Sequence, residues 1–229
     1  MNKLIPYRLL EDNSAVGPMF RLSSTAFSVL VAFLAIQAIT NFKNAEQLVA
    51  REAAAVRSIY ASATSMPPVL AAEIQNNILA YIECVVTQEW PAMQHGKLNL
   101  SAAKYLNIIL DKADDSAVNN PVKAYILGQI VNTTMELDEI HQARAGIINI
   151  SLDHIAWIIL IFISILTIAS NLFYTTKSKQ VKYAGLTIVS LIIASAIFLV
   201  FVFDRPYQGQ IAVSSAPLLI VIDEIKADE

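Results

Sequence analysis

Three carboxylates are the residues of this chain best suited to acid–base chemistry. Glu52, Glu89 and Asp204 are widely spaced, and no nucleophile motif accompanies any of them. Catalysis of this kind needs an acid, a base or a nucleophile held in mutual geometry, and nothing in the spacing indicates such a pairing. The sequence therefore predicts a protein that is not an enzyme, with no catalytic residues and no cofactor.

The histidines and the cysteine do not predict a metal site. His95, His141 and His154 lack the short, regular spacings that place several ligands around one ion. We expect all three at solvated or interfacial positions. Cys84 is the only cysteine, so no intrachain disulfide can form, and its apolar neighbours predict a buried structural thiol.

Four residues of the central region could form a polar site. Glu89 and Trp90 are adjacent, and Glu52 and Arg144 are the charged residues that could join them. One interpretation is a ligand pocket built from all four. The interpretation that we favour is structural: Arg144 pairs with Glu52 or Glu89 and thereby locks helices of a bundle together.

The pair Asp204-Arg205 follows the last apolar run and precedes Pro206 and Gly209, which would fix a turn. Charges at the edge of a low-dielectric region are expected to pair. Two roles fit: an ion-binding or gating element at the membrane face, or an anchor for the helix end. We favour the anchor. Asp204 and Arg205 would pair with each other or with other charges, which for Arg205 include a carboxylate of the extramembrane domain.

A stripe of weakly polar residues follows one face of the preceding apolar run. Spacings of seven, three and four residues place Trp157, Ser164, Thr167 and Asn171 together on a helix. Such a stripe could line a hydrophilic path, or it could mediate contact between helices in lipid. We favour helix contact. No charged residue lies within the apolar runs, which argues against a proton relay.

Two apolar runs, 155–174 and 183–203, are each long enough to cross a bilayer. A helix rises about 1.5 Å per residue, so about 20 residues span a hydrocarbon core of roughly 30 Å. A third, less apolar run at 22–42 predicts a first transmembrane helix. The chain is 55% hydrophobic and 15% charged, which also fits a membrane protein.

The segments between these runs complete the organisation. A basic lead occupies 1–21, a basic loop 175–182 and a C-terminal tail 204–229. Residues 43–154 form an extramembrane domain. The predicted fold is thus an all-α membrane protein with about three transmembrane helices plus an extramembrane helical bundle.

Helical periodicity in the domain predicts four helices. The first, 44–63, continues the transmembrane helix, and Met66-Pro67-Pro68 ends it. The second runs from 68 to 93. Asn99 or Ser101 caps the third, which ends at Asp111 and turns Tyr105, Ile108 and Ile109 to one side. The fourth runs from 121 towards 150, with Pro121 in its first turn.

Lysines and arginines predict the orientation. They concentrate in the lead and in the loop 175–182, which three spans place on the same side of the membrane. The positive-inside rule makes that side cytoplasmic. Residues 43–154 and the C-terminus are then extracytoplasmic, in a bacterial inner membrane or a plasma membrane. The lipid bilayer is the first expected partner. A net charge of −3 offers no field for nucleic acid.

Several short motifs, taken in order, resemble a known family. They are Glu52-Ala53-Ala54 with Tyr60, Tyr81, Gln88-Glu89-Trp90-Pro91-Ala92-Met93, Gly96, Arg144, Trp157 and Asp204-Arg205-Pro206-Tyr207-Gln208-Gly209. Over about residues 15–220 they resemble the bestrophin-like domain family, integral membrane proteins of unknown function. Members usually have a further membrane helix where this chain has 21 residues before Leu22.

The family's name records a proposed similarity to bestrophin anion channels. The resemblance implies a homo-oligomeric anion channel, in which the first span lines the pore and the helical domain forms a vestibule. The alternative is a membrane-anchored, non-catalytic helical protein that binds or assembles partners or acts as a sensor. The absence of charge within the spans and the size of the domain motivate that alternative.

Overall fold

The computed structural model describes residues 13–116, 120–148, 150–173, 178–209 and 211–227. Every regular element in these ranges is a helix, which confirms the all-α prediction. The chain divides into two compact units. We call residues 1–40 and 151–204 the membrane unit, and residues 41–150 and 205–229 the helical unit.

Helix α1 is continuous over Asn13–Ala63, 51 residues. It joins the predicted first span to the first helix of the domain without a break, as the sequence predicts. At about 1.5 Å per residue it is roughly 75 Å long. Pro18 lies inside this helix, so the hydrogen bond that the amide of residue 18 would donate to the carbonyl of residue 14 is missing there.

The membrane unit contains the first part of α1 together with α6, His154–Leu172, and α7, Lys179–Phe203. These helices are long and apolar enough to cross a membrane. Large apolar side chains such as Ile158, Phe162 and Phe198 remain exposed on their outer surfaces, as lipid contact requires. A small core holds the helices together, formed by Phe27, Leu34, Leu152, Leu160, Ile193 and Val200.

In its described residues the helical unit contains the rest of α1 and five further α-helices. These are α2 (Pro68–Cys84), α3 (Trp90–Gln94), α4 (Ala103–Asp114), α5 (Pro121–Ile147) and α8 (Ala216–Ala227). Helix α4 packs against both α2 and α5, and α8 packs against α2. The segment Pro68–Gln94 is also long and apolar enough to span a membrane, but its apolar side chains belong to this core, including Ile74, Ile78, Ile82 and Val85.

Local chain breaks follow the sequence signals. Helix α1 ends at Ala63 and α2 begins at Pro68, as the two prolines predict. Asn120 caps α5, since its side chain accepts hydrogen bonds from the amides of Val122 and Lys123.

Three details of the helical unit differ from the prediction. Asn99 accepts from the amide of Ser101, and neither residue caps α4, which begins at Ala103. Within α4 the core residues are Leu106 and Ile109, whereas Ile108 is exposed. Helix α8 was not predicted, and it buries Leu218, Val221, Ile222 and Ile225.

Candidate functional site

Arg144 is the centre of a buried polar cluster in the helical unit. It lies on α5 with 1% of its surface exposed. Leu137, Ile140 and His141 precede it by seven, four and three residues, so all four lie on the inward face of the helix. An arginine is almost never buried this deeply unless it is paired, so its partners decide what the cluster is.

Both candidate glutamates bind Arg144. Its Nε donates to Oε2 of Glu52 at 2.7 Å, and its Nη2 donates to Oε1 of Glu52 at 3.2 Å. The same Nη2 donates to Oε2 of Glu89 at 3.0 Å. The two-pronged contact with Glu52 fixes the guanidinium plane, which a single point contact would not do. Arg144 therefore links α5 to α1 and to the segment that carries Glu89.

Glu89 ends a π-helical turn, Val85–Glu89, between α2 and α3. The wider turn accommodates one extra residue within a continuous helical segment, and such turns are frequent at functional sites. Glu89 is fully buried. Its Oε1 accepts from the amide of Ala102 at 2.8 Å, and its Oε2 lies 2.8 Å from Nε2 of His141.

Aromatic and sulfur groups complete the cluster. The hydroxyl of Tyr81 donates to Oε1 of Glu52 at 2.6 Å, and its ring meets His141 edge to face at 5.6 Å. Nη1 of Arg144 contacts Sδ of Met93 at 2.8 Å. The guanidinium also lies 5.6 Å from the ring centroid of Trp90, within cation–π range.

The electrostatics favour an ionised arginine. Burial alone would lower the pKa of Arg144, but Glu52, Tyr81 and Glu89 act against it, and the net shift is upward. Nδ1 of His141 is buried and has no hydrogen-bond partner among the described residues. The ring therefore contacts Glu89 through Nε2, and its other nitrogen remains unsatisfied in the described part of the core.

The C-terminal motif packs onto the same cluster. Tyr207 meets Trp90 edge to face with ring centroids 5.7 Å apart. Its hydroxyl is buried without a hydrogen-bond partner in the described part of the chain, and burial raises the pKa of this phenol. Gly96 has φ of +69°, and a Cβ there would lie 2.8 Å from Nε2 of Gln208. The positive φ favours glycine at this position, whereas the close contact involves only the flexible end of the Gln208 side chain.

Asp204 has a different role, within the membrane unit. Its Oδ1 accepts from the amide of Leu152 at 2.6 Å, and its Oδ2 accepts from Nε1 of Trp157 at 3.3 Å. The carboxylate thus ties the end of α7 to the residues around the start of α6. These contacts match the anchoring interpretation.

Arg205 does not pair as expected. It is exposed, and its Nη1 donates to Oε1 of Gln208 at 3.1 Å. No ion pair joins it to Asp204 or to another carboxylate among the described residues, so the expected domain contact is absent there. Its neighbour Asp204 already accepts hydrogen bonds from two uncharged donors, an amide and an indole. Pairing Asp204 with Arg205 would in addition require removing water from the guanidinium.

Comparisons with known proteins identify the family. The model of the bestrophin-like domain matches residues 4–218. The chain belongs to the bestrophin-like family. No sequence among the functionally curated proteins matches.

Solved structures share the bestrophin-like fold. Two are variants of a bacterial bestrophin homologue from Klebsiella pneumoniae, each with a TM-score of 0.73 over 93% of this chain and 87% of the other, at 12% and 13% identity. A third, described as a membrane protein, has the same TM-score at 13% identity and covers 93% and 86% of the two chains. Identities this low establish the fold alone.

One residue of the polar stripe of this bestrophin-like chain, Thr167, contacts α1. Ser164 and Thr167 are buried, and each hydroxyl donates to the carbonyl four residues earlier. Thr167 also lies 3.2 Å from the carbonyl oxygen of Ser23 on α1. Trp157 and Asn171 are half-buried. Within one chain, the stripe contributes to helix contact.

Sequence reasoning missed several members of the cluster. His141 was expected at a solvated position, yet it is fully buried against Glu89. Its position three residues before Arg144 on α5 was the available signal. Met93 and Tyr207 belonged to quoted motifs but had no assigned role. Cys84 is buried, as predicted. The described residues include no group of potential metal ligands.

Proposed function

We propose that this bestrophin-like protein is the subunit of a homo-oligomeric anion channel whose pore is lined by one face of α1. Family membership supports a channel, and the uncovered face of α1 is the observation that carries the assignment to this helix. Because a shared fold does not by itself decide function, the exposed surface of α1 is needed to place a pore along this helix.

The uncovered face of α1 combines apolar and weakly polar side chains. Leu22, Val29, Phe33 and Ile36 are 65% to 75% exposed, at the spacing of a single helical face. Thr25 and Thr40 lie on the same face and are also exposed. Lipid alone would not require the polar members. A ring of such faces around an axis would form a narrow path with an apolar constriction, which is a known way to gate ions.

Lys43 supports the choice of anions. It continues the same face by helical spacing, three residues after Thr40, and it is exposed. Glu46 is also exposed, but at about 100° per residue it points well away from the centre of this face. Repeated around an axis, Lys43 would raise the local anion concentration at one end of the path.

The buried cluster gives α1 a fixed connection within the helical unit. Glu52 belongs to α1, and Arg144 ties it to α5. We propose that the cluster is a structural lock and not a ligand site, because Arg144 and both glutamates are already hydrogen-bonded. The proposed topology keeps the predicted orientation, with the helical unit outside and the basic loop in the cytoplasm. Labelling of an exposed Lys97→Cys variant in intact cells tests this orientation, with Lys179→Cys as the opposite-side control.

Ion flux from reconstituted vesicles tests the proposed function. The purified full chain should release a chloride gradient faster than empty vesicles do. Lys43→Glu should lower the chloride-to-sodium permeability ratio by about fivefold, the order expected for about 1 kcal/mol. The matched reversal Lys97→Glu, on an exposed loop residue, should leave the ratio unchanged. Absence of flux in every assembled state would contradict the proposal.

A binding or sensor protein is the second candidate. A groove on the helical unit, lined partly by Leu98, Leu100 and Gly146, favours it because the two leucines are exposed. A monomer in membrane-like conditions would favour this function, whereas a ring of copies would favour the channel.

A further inference from the structure

A groove in the membrane unit collects basic side chains at one end of its helices. Its volume is about 440 Å³. Three elements contribute to it: the first turns of α1, the end of α6 and the first turns of α7. The lining residues are Gly17, Phe20, Arg21, Asn171, Val181, Lys182 and Gly185.

Two cations in this groove have no ion-pair partner among the described residues. Neither Arg21 nor Lys182 forms an ion pair with any residue that the structure describes. Lys182 is only half-exposed, so its stem is held against the groove. Two unpaired cations beside a common cavity would bind an anion favourably.

The rest of the lining suits a ligand that is partly apolar. Phe20 and Val181 provide apolar surface, and Asn171 provides an amide that can donate or accept. Gly185 leaves open space where a side chain would project, since a Cβ there meets nothing within 4 Å. Gly17 leaves the same space on α1. The groove is therefore open enough for a group wider than a simple ion.

The groove lies at the level where a bilayer's headgroups would be. The charge-free run of α7 begins immediately after Lys182, and Tyr183 there is exposed, as is typical of aromatic residues at the membrane–water interface. On α1, Arg21 immediately precedes the charge-free span. Both cations therefore lie at the ends of helical segments that are long enough to cross the hydrocarbon core.

We propose that this groove binds the headgroup of an anionic phospholipid. Arg21 and Lys182 contact the phosphate oxygens, Asn171 contacts the polar headgroup, and Phe20 and Val181 contact the glycerol and upper acyl region. Basic pockets between transmembrane helices bind lipid headgroups of this class. Lipid binding at this site does not require ion conduction, so the two proposals can be tested independently.

Native mass spectrometry of the full chain in a non-ionic detergent tests the site. Phosphatidylglycerol and phosphatidylcholine are added at equal concentrations to wild-type protein and to Arg21→Gln, Lys182→Gln and the double variant. Wild type should retain phosphatidylglycerol preferentially. Each substitution should weaken its binding by about fivefold, equivalent to about 1 kcal/mol per cation near a membrane.

Two controls separate this site from general charge attraction. Lys179→Gln removes an exposed lysine from the same helix that does not line the groove, and it should bind phosphatidylglycerol like wild type. Gly185→Leu keeps both cations but fills the groove, and it should reduce binding. Gly128→Leu, at another helical glycine with open space, is its matched control and should not. Melting temperatures without lipid identify any variant that fails to fold.

The outcomes distinguish lipid from free anion. Preferential phosphatidylglycerol binding that Arg21→Gln, Lys182→Gln and Gly185→Leu each reduce would support the proposal. Equal retention of both lipids by wild type would overturn it, and so would an equal loss in Lys179→Gln. Displacement of phosphatidylglycerol by millimolar inorganic phosphate would also overturn it, because the site would then be one for free anions.

Discussion

Arg144 is the residue on which the helical unit depends most. Removing one partner of a buried ion pair leaves an uncompensated charge, whereas an exposed pair contributes little. Both kinds occur here: Arg144 is buried against Glu52 and Glu89, and Arg51 forms an exposed pair with Glu136. The two arginines therefore provide a direct comparison.

Arg144→Met should destabilise the protein by at least about 3–5 kcal/mol, because Glu52 and Glu89 would remain buried without their cation. Arg51→Met should cost no more than about 1 kcal/mol. Thermal or denaturant unfolding in detergent measures both. Similar, small effects for the two substitutions would show that the cluster does not stabilise the helical unit.

Two buried tyrosines should respond in opposite directions to the loss of the hydroxyl. Tyr81→Phe leaves Oε1 of Glu52 with only the longer bond from Nη2 of Arg144 and should destabilise by about 1–3 kcal/mol. Tyr207→Phe removes a buried hydroxyl that has no described partner and should be neutral or stabilising by about 1 kcal/mol. Unfolding experiments on the two variants test this, and a larger loss for Tyr207→Phe would contradict it.

The pH dependence of Tyr207 follows from the same burial. Its pKa is raised in the folded state, so the neutral phenol stabilises the fold below the unfolded pKa of about 10, and this stability is lost as pH rises further. Tyr207→Phe should therefore reduce the alkaline loss of stability seen above about pH 10 in unfolding experiments.

At the scale of elements, Asp204 holds α6 and α7 together at one end. It accepts from the Leu152 amide and from the Trp157 indole. Asp204→Ala should lower stability by about 2 kcal/mol, since it leaves a buried amide unsatisfied. Trp157→Phe removes only the longer, indole bond and should cost less. Equal melting temperatures for wild type and Asp204→Ala would refute the anchor.

The elements differ in how well sequence predicts them. Membrane helices and the break at Pro67-Pro68 follow from local hydropathy and backbone chemistry, so they could be predicted. Glu52, Glu89 and Arg144 were recognised as partners by charge. Both glutamates bind the arginine at once because of the π-helical turn at Val85–Glu89 and the packing between distant segments. Helical periodicity in the sequence reveals neither of these features.

Other misses have the same origin. His141 is buried against Glu89, which lies more than fifty positions earlier in the chain. Tyr207 is buried against Trp90, which lies more than a hundred positions earlier. Arg205 was expected to form an ion pair with a carboxylate, but the carboxylate of Asp204 accepts hydrogen bonds from a backbone amide and an indole instead. Which of several distant residues a side chain contacts can be determined only from the three-dimensional structure.

For the whole molecule, family membership and the exposed face of α1 together support the proposed channel. The chain belongs to the bestrophin-like family, and the fold is shared with bacterial bestrophin homologues over 93% of its length. The proposed channel requires copies to meet around the α1 face that contains Val29, Phe33 and Ile36. Outward residues of α6 such as Ile158 would instead contact lipid.

Modification of single cysteines during flux measurements tests this central claim most directly. Ile36→Cys and Ile158→Cys are equally exposed in one chain, at 66% each, and both are made in a Cys84→Ser background. A charged, water-soluble thiol reagent should block chloride flux through the Ile36→Cys channel and leave the Ile158→Cys channel unaffected. No flux before treatment, or equal sensitivity of the two variants, would contradict a pore lined by α1.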